Sequence, residues 1–328
     1  KFDAAGNMEM LYRDPDITSV YPLPVRARPC PPALANAVKS DGPPEGRFLL
    51  SDVHRGLKTV KRGDIKALRV IAVPPKTHPV MNFPELGVTR DDPGKCVLGT
   101  VPVEEDGSAF FRAPAGVIVF FQALDAQGRA VQTMRSATHV QPGQTVSCIG
   151  CHKDRDQAPP QRTALAALRA PSKITVGPEG SWPLRFDRLV QPVLDRQCVS
   201  CHDAKASDEK AAKFDLTPAK AYDALVRYGK PSLHDVVMTG YRRGTSVEGE
   251  GFALGSALLA LLDAPTGHYE VKLTADDREH FITWMDAYAQ KTGSFSAEQE
   301  GLLEELRRSC AELLEERAPK QTASASSR

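Results

Sequence analysis

The sequence of 328 residues is short of several features that would assign a functional class directly. Charge is nearly balanced, with 42 lysines and arginines against 41 aspartates and glutamates. Such a balance gives no argument for nucleic acid or an anionic membrane as partner. No apolar run is long enough to span a bilayer. The chain begins KFDAAGN, without methionine or a signal-type apolar stretch, so it is interpreted as a fragment or processed form.

Cysteine is also scarce, with seven residues in the whole chain. An odd number, with four of the seven placed in two short clusters, does not resemble a disulfide framework. The clusters have the same form, two cysteines three residues apart with a histidine directly after the second. They read SCIGCH at 147–152 and QCVSCH at 197–202.

This repeated CxxCH pattern is typical of covalent haem attachment. Cysteines at i and i+3 lie on one face of a helical turn, where both sulfurs can reach the two vinyl groups. A histidine at i+4 then points at the iron from the same side. The sequence therefore predicts two covalently bound c-type haems. The attachment and proximal-ligand residues are Cys148, Cys151 and His152 in the first motif and Cys198, Cys201 and His202 in the second.

Two other interpretations of the motifs fit less well. A zinc site built from both pairs would use four thiolates and would leave the two histidines unexplained. A thioredoxin-like dithiol needs one CxxC between a strand and a helix, whereas this chain has two. Haem attachment of this kind takes place outside the bacterial cytosol, so the protein is predicted to be periplasmic or otherwise exported.

Residues 29–152 are predicted to form a β-rich middle domain that ends in the first motif. The run ALRVIAV at 67–73 indicates a strand, and residues 117–124 are apolar at both alternating positions, which favours a strand buried on both faces. Asp106-Gly107 and Gln127-Gly128 indicate turns. Short strands joined by such turns predict a small β-sandwich. Residues 153–181 are interpreted as a linker, with a short helix around 162–169.

Residues 182–290 are predicted to form an all-α c-type cytochrome domain around the second motif. An apolar face extends along a helix that leads into Cys198; it comprises Phe186, Leu189, Val190, Val193 and Leu194. Thr274 is the predicted N-cap of a later helix, followed by acidic residues in its first turn. A last helix, about 296–316, has an apolar stripe that packs on the body or on a partner helix. This helix and a disordered tail after it make up residues 291–328. The predicted class is thus an α+β multidomain protein.

The sixth iron ligand decides the chemistry, because a second strong protein ligand favours electron transfer and an open position allows a small molecule to bind. For the second haem, His268 is the preferred candidate because it lies in a turn just before the Thr274 helix. His280 and Met238 are the alternatives, His280 being interpreted as a surface or packing histidine. For the first haem the candidates are His54, His78 and His139, each of which is interpreted in the first place as a satisfied loop histidine rather than a ligand.

Two stretches resemble a known family. KCVLGTVPVEEDGSAFFRAPAGVIVFFQALDAQGRAVQTMRSAT, followed by QPGQTVSCIGCH, is similar to the middle domain of hydrazine synthase alpha-subunit-related proteins. GSWPLRFDRLVQPVLDRQCVSCH, with SALLALLDAPTGHYEVKLTADDREHFITWMDAY, is similar to their C-terminal cytochrome domain. The resemblance covers about residues 1–290. It implies that residues 1–28 are the exit of an N-terminal β-propeller and that the chain is the C-terminal part of a longer exported protein.

The resemblance also bears on the chemistry of the first motif. In the family's synthase, a tyrosine a few residues after CxxCH ligates the reactive middle-domain haem, and the histidine of the motif is diverted to zinc. Here His152 is followed by KDRDQ, and the next tyrosine is Tyr222. The missing tyrosine argues against hydrazine synthesis. The bis-histidine character of the family's C-terminal haem maps onto His202 and His268. Cys30 and Cys96 are interpreted as buried inert thiols, and the alternative, which the resemblance implies, is a thiolate that supports zinc near the first haem.

Three functional hypotheses follow. The leading one is a dihaem electron-transfer module that works with a redox partner protein or with other subunits. The alternative is a haem enzyme, hydrazine-synthase-like, in which the first haem acts on a small nitrogen or oxygen compound. A third is a binding or scaffold protein with haem as an accessory. No catalytic residue is assigned. The basic-aromatic cluster 241–243 is interpreted either as a contact for haem propionates or as a solvated loop.

Overall fold

A computed structural model describes residues 3–32, 42–80, 82–151, 162–264, 267–269 and 271–317. The chain divides into two compact units, 1–37 and 38–328. The described part of the first unit has little regular secondary structure, and most of its side chains are exposed, including Met8, Tyr12 and Tyr21. Its N-terminal turn is held by Asp3, whose carboxylate accepts hydrogen bonds from the backbone of Ala5 and Asn7.

Two β-sheets form the first half of the second unit. Their strands are β1 Glu45–Leu50, β2 Ala67–Ala72, β3 Cys96–Pro102, β4 Ala109–Pro114, β5 Val119–Leu124, β6 Ala130–Thr133, β7 Thr145–Cys148, β8 Ile174–Val176 and β9 Leu314–Glu315. One sheet has three strands in the order β4-β1-β7, and the other has six in the order β6-β5-β2-β3-β8-β9. β1 pairs antiparallel with β4 and parallel with β7.

An apolar core joins the two sheets. Phe48 and Phe111, from β1 and β4, pack edge-on against Phe121 of β5, with ring centroids 5.1 and 5.7 Å apart. Such contacts combine a large buried apolar area with favourable edge-to-face geometry. The predicted strand over 117–124 is confirmed as β5, and five of its six residues are buried. The expected turns are also present, since Gly107 and Gly128 have positive φ angles that favour glycine.

The helices lie in the second half of the unit. They are α1 Phe186–Leu189, α2 Gln191–Gln197, α3 Glu209–Lys213, α4 Ala221–Val226, α5 Leu233–Arg243, α6 Ala257–Leu262, α7 Ala275–Asp286 and α8 Ala297–Ser309. With the sheets, they confirm the α+β class. No helix within the described ranges is long and apolar enough to cross a membrane.

Local sequence signals account for much of this helical region. The apolar face predicted before Cys198 is buried in full, although the helix is divided at Val190 into α1 and α2, with Pro192 in the first turn of α2. Thr274 caps α7 as predicted: its hydroxyl accepts from the Asp277 backbone, and the Asp277 carboxylate accepts from the Thr274 backbone.

Two segments differ from the expectation. Residues 174–176, inside the predicted linker, form β8 and pair with β3, because alternate buried positions of ITV continue the sheet core. The last helix was predicted to reach about residue 316, but α8 ends at Ser309 and Leu314–Glu315 pair in parallel with β8. Leu303, Cys310 and Leu313 pack into the core between the two sheets, and the two-sheet region is called the β-domain here. The apolar stripe of the last helix therefore packs on the body of this chain.

Candidate haem-binding sites

The second motif forms a tight helical turn at the end of α2. The backbone amides of Cys201 and His202 both donate to the Cys198 carbonyl, at 3.1 and 3.0 Å. Cys198 is half-buried and Cys201 is exposed. Burial, together with the negative charge of Asp277, raises the pKa of the Cys198 thiol to about 11. The thiol is therefore protonated at neutral pH.

The His202 imidazole is held in one tautomer. Its Nδ1 lies 3.1 Å from the backbone carbonyl oxygen of Phe214, which can only accept a hydrogen bond. Nδ1 therefore carries the proton, and Nε2 keeps the lone pair that a metal needs. The Phe214 ring also packs edge-on against the imidazole, with centroids 5.7 Å apart. Together these contacts orient His202 as a ligand with one free nitrogen.

His268 lies close to His202. The two ring centroids are 5.9 Å apart and the ring planes are within 20° of parallel. His268 lies in the loop between α6 and α7, where Gly267 has φ +65° and the Val271 amide donates to the His268 carbonyl at 3.2 Å. The structure thus brings together the two histidines that the sequence singled out as one ligand pair.

The other candidates for this site have different surroundings. His280 Nδ1 lies 2.6 Å from the Leu189 carbonyl oxygen, and its Nε2 lies 3.6 Å from Asp276 Oδ2. Nδ1 is thus hydrogen-bonded to the backbone and Nε2 lies beside the Asp276 carboxylate, which agrees with a packing role. Met238 is half-buried on α5.

The first motif follows β7 directly. Cys148 is the last residue of that strand and pairs in register with Leu50 of β1, and the Ser51 amide donates to the Cys148 carbonyl at 2.8 Å. Gly150 packs so closely on the loop after β1 that a Cβ there would lie 2.6 Å from the Arg55 carbonyl oxygen. The predicted proximal ligand, His152, lies outside the described residues.

A cavity of about 1000 Å³ opens beside these two cysteines. Phe48, Phe111 and Phe121 form its apolar wall, and Cys148 and Cys151 lie on its border. Burial raises the pKa of the Cys151 thiol to about 12, so this thiol too is protonated at neutral pH. A large, mostly apolar cavity with both motif cysteines at its edge fits a tetrapyrrole attached through thioethers.

A segment of the helical region closes one side of this cavity. Residues 244–248, named the strap here, line it and follow α5. The Glu248 carboxylate accepts hydrogen bonds from the Lys58 and Thr59 amides and the Thr59 hydroxyl, at 2.6–2.9 Å. The Ser246 hydroxyl also donates to the Thr133 carbonyl. The strap therefore ties the helical region to the β-domain at the edge of the cavity.

The histidines considered for the first haem do not line the cavity. His54 is buried, its Nε2 accepts from the Gly63 amide at 3.3 Å, and burial, with the nearby Arg62 charge, lowers its pKa. His78 Nδ1 accepts from the Val80 amide, and His139 is exposed. Among the described residues that form the wall of the cavity there is no histidine.

No metal centre made of protein side chains is evident in the described ranges, where no cluster of three or more His, Cys, Asp or Glu residues could hold an ion. Cys96 is fully buried in the β-domain core, and burial raises its thiol pKa well above the usual value. This environment favours an inert thiol at Cys96. Cys30 is exposed in the first unit.

The sequence analysis did not predict three groups that contribute to the two sites from distant parts of the chain. The Phe214 carbonyl, the Glu248 carboxylate and Arg135 were not singled out. Glu248 reaches Thr59 across 189 residues, so no local pattern could have shown the contact. The cluster 241–243 forms the end of α5, where Arg243 pairs with Glu250 at 2.5 Å.

Comparison with known proteins relates the β-domain to one family. Residues 63–153 match the model of the hydrazine synthase alpha subunit middle domain. No curated protein matches the sequence. The fold is similar to a chain of Kuenenia stuttgartiensis hydrazine synthase, with a TM-score of 0.53 and 20% identity over 79% of this chain and 45% of that one. This chain therefore spans less than half of that chain's length. The match over residues 63–153 confirms the predicted resemblance of the β-rich domain to the middle domain of the hydrazine synthase alpha subunit.

Proposed function

We propose that this chain is a dihaem c-type cytochrome module of an exported protein and that it transfers electrons to or from a redox partner or another subunit. The observation that carries the proposal is the proximity of His202 and His268, whose ring centroids are 5.9 Å apart. Iron with two strong axial protein ligands exchanges electrons without binding a substrate. One haem would be attached at each CxxCH motif.

The protein's part at the second site is to hold the two imidazoles before and during redox change. The Phe214 carbonyl fixes the His202 tautomer, and the loop before α7 holds His268 opposite it. A ligand set that stays in place needs little rearrangement when an electron is gained or lost. Haem supplies the redox couple, while these residues supply the ligand nitrogens and their orientation.

The test uses the chain produced with the c-type haem maturation machinery. Mass spectrometry of the intact protein should find two covalent haems, one on each motif peptide. His268→Ala should convert the spectrum of the second haem from low-spin to high-spin, because one axial ligand is lost. His234→Ala, which removes an exposed histidine on α5, is the control and should leave the spectrum unchanged. An unchanged spectrum in His268→Ala would rule out this ligand, and a single haem would rule out the dihaem module.

A second candidate function, a haem enzyme acting on a small nitrogen or oxygen compound, is favoured by the first cavity. Its volume of about 1000 Å³ suits a haem with space for a small ligand, and its described wall contains Met134 but no histidine. Titration with nitric oxide or cyanide counts such positions. One ligand bound per chain would favour the enzyme, and none would favour electron transfer alone. The residues KDRDQ after His152, which lack the family's ligating tyrosine, argue that hydrazine is not the product.

A further inference from the structure

The described wall of the first cavity includes an arginine whose charge has no acidic partner. Arg135 follows β6 and borders the large cavity together with Cys148 and Cys151. We propose that Arg135 binds a carboxylate of the tetrapyrrole attached at these two cysteines. The inference rests on the proposed function, because it assumes a haem at the first motif.

Contacts from the helical region fix the position of the Arg135 guanidinium. Nη1 donates to the Tyr288 hydroxyl at 3.0 Å, and Nη2 donates to the Tyr241 carbonyl at 3.2 Å. The group also lies over both tyrosine rings, 5.8 and 5.9 Å from their centroids. Both hydrogen-bond acceptors are neutral and use two of the five N–H donors of arginine, so donors remain for a further acceptor.

The nearby acidic groups are engaged elsewhere. Asp92 binds the buried Lys95 ammonium and also accepts from Gln290 at 3.0 Å. Burial, together with a hydrogen bond to the Asp91 carboxylate, raises the pKa of the Tyr241 phenol to about 12, so Asp91 is engaged with Tyr241. Within the described ranges Arg135 forms no ion pair. A guanidinium in this setting favours a planar carboxylate, which it can bind through two parallel hydrogen bonds.

Arg135 differs from Arg243, at the end of α5, because Arg243 has an acidic partner and Arg135 has none among the described residues. Arg243 is paired with Glu250 and borders a smaller cavity of about 350 Å³ that does not include the motif cysteines. Arg135 borders both cavities. Of these two arginines, Arg135 is therefore the one with an unneutralised charge beside Cys148 and Cys151, and Arg243 provides a matched control for the removal of one positive charge.

The experiment compares Arg135→Gln, Arg135→Lys and Arg243→Gln in the haem-loaded protein. Mass spectrometry of the motif peptides reports attachment, and redox titration reports the Fe(III)/Fe(II) equilibrium. A Cys148→Ala/Cys151→Ala variant identifies the transition of the first haem. Loss of a cation beside a carboxylate stabilises Fe(III), so Arg135→Gln should shift the first-haem equilibrium about tenfold toward Fe(III), or about 59 mV. Arg135→Lys should keep most of the wild-type value, and Arg243→Gln should change the ratio less than about twofold.

Each other result has a distinct meaning. Two attached haems with equal potentials in Arg135→Gln and Arg243→Gln would overturn the Arg135 assignment and leave the proposed function intact. A wild-type chain with haem only at Cys198 and Cys201 would overturn both the Arg135 assignment and the proposed dihaem function. A wild-type potential that depends on added acetate, and loses this dependence in Arg135→Gln, would assign the arginine to a free anion instead. If Arg135→Gln prevents attachment, restored attachment in Arg135→Lys supports a charge requirement, and loss in both variants indicates a purely structural role and overturns the proposal.

Discussion

Arg69 and Asp286 form a buried ion pair where the helical region meets the six-stranded sheet. Arg69 Nη1 lies 3.3 Å from Asp286 Oδ2, and the side chains are 3% and 0% exposed. The carboxylate also accepts from the backbone amides of Ala130 and Ala253, at 2.8 and 3.0 Å. One carboxylate at the end of α7 therefore ties together β2, the start of β6 and the segment before α6.

The first prediction concerns this pair. Asp286→Ala leaves the buried Arg69 guanidinium without its counter-ion and two backbone amides without their acceptor, and should cost about 3–5 kcal/mol of unfolding free energy. Urea denaturation followed by circular dichroism measures the loss. Glu209→Ala removes an exposed pair with Lys213, whose side chains are 83% and 73% exposed, and should cost less than about 0.5 kcal/mol. Equal losses in the two variants would mean that the buried pair does not stabilise the junction.

Much of the second site could be predicted because its chemistry is encoded locally. The spacing of Cys198, Cys201 and His202 specifies a helical turn, and the capping signal at Thr274 places the preceding loop, with His268, at a helix start. Arg135 and Tyr288 are 153 residues apart, and Arg69 and Asp286 are 217 apart. Such contacts depend on the packing of the helical region against the sheet, which leaves no periodic signal in the sequence.

The second prediction tests the close packing of the first motif. Gly150→Ala places a methyl group 2.6 Å from the Arg55 carbonyl and 2.8 Å from the Asp52 carbonyl, so the CxxC turn must move. Haem attachment should fall at Cys148 and Cys151 and stay normal at the second motif, as measured by mass spectrometry of the peptides. Gly301→Ala on α8, where an added Cβ meets nothing within 4 Å, is the control. It should keep both haems and stabilise the helix by about 0.5–1 kcal/mol.

The third prediction concerns pH and the cap of α7. Burial alone would raise the pKa of Asp277, but hydrogen bonds from Thr274 and Arg196 outweigh it, and the pKa lies below the usual 3.8. An acid with a depressed folded pKa stabilises the fold above its unfolded pKa and loses this effect as pH falls through the folded value. Asp277→Asn should lower the Tm at pH 7 by about 2–4 °C, the equivalent of ~1 kcal/mol.

The difference in Tm between wild type and Asp277→Asn should then narrow as the pH falls below about 4. Thermal melts by circular dichroism from pH 3 to pH 7 give both quantities. Asp223→Asn, on the exposed side of α4, is the control and should follow the wild-type curve throughout. A difference that stays constant down to pH 3 would show that the Asp277 charge does not contribute to the cap.

The fourth prediction concerns the strap over the first cavity. Glu248→Ala removes the acceptor for two amides and one hydroxyl of Lys58 and Thr59, which hold the strap against the β-domain. Because these bonds are partly solvated, a net loss of ~1 kcal/mol is expected, which raises the open fraction of the strap about fivefold. If ligand entry follows strap opening, cyanide should bind the first haem faster by the same factor, as measured by stopped-flow absorbance. Limited proteolysis should also cut within 244–248 more rapidly.

Glu250→Ala separates this effect from a general loss of negative charge. Glu250 pairs with Arg243 of α5, so its contact lies within the helical region and does not fasten the strap to the β-domain. The variant should therefore keep the wild-type rates of cyanide binding and proteolysis. Faster proteolysis in Glu248→Ala without faster cyanide binding would show that the strap opens but that ligands reach the cavity by another route. Unchanged rates in both assays would show that the Ser246 contact with Thr133 is enough to keep the strap in place.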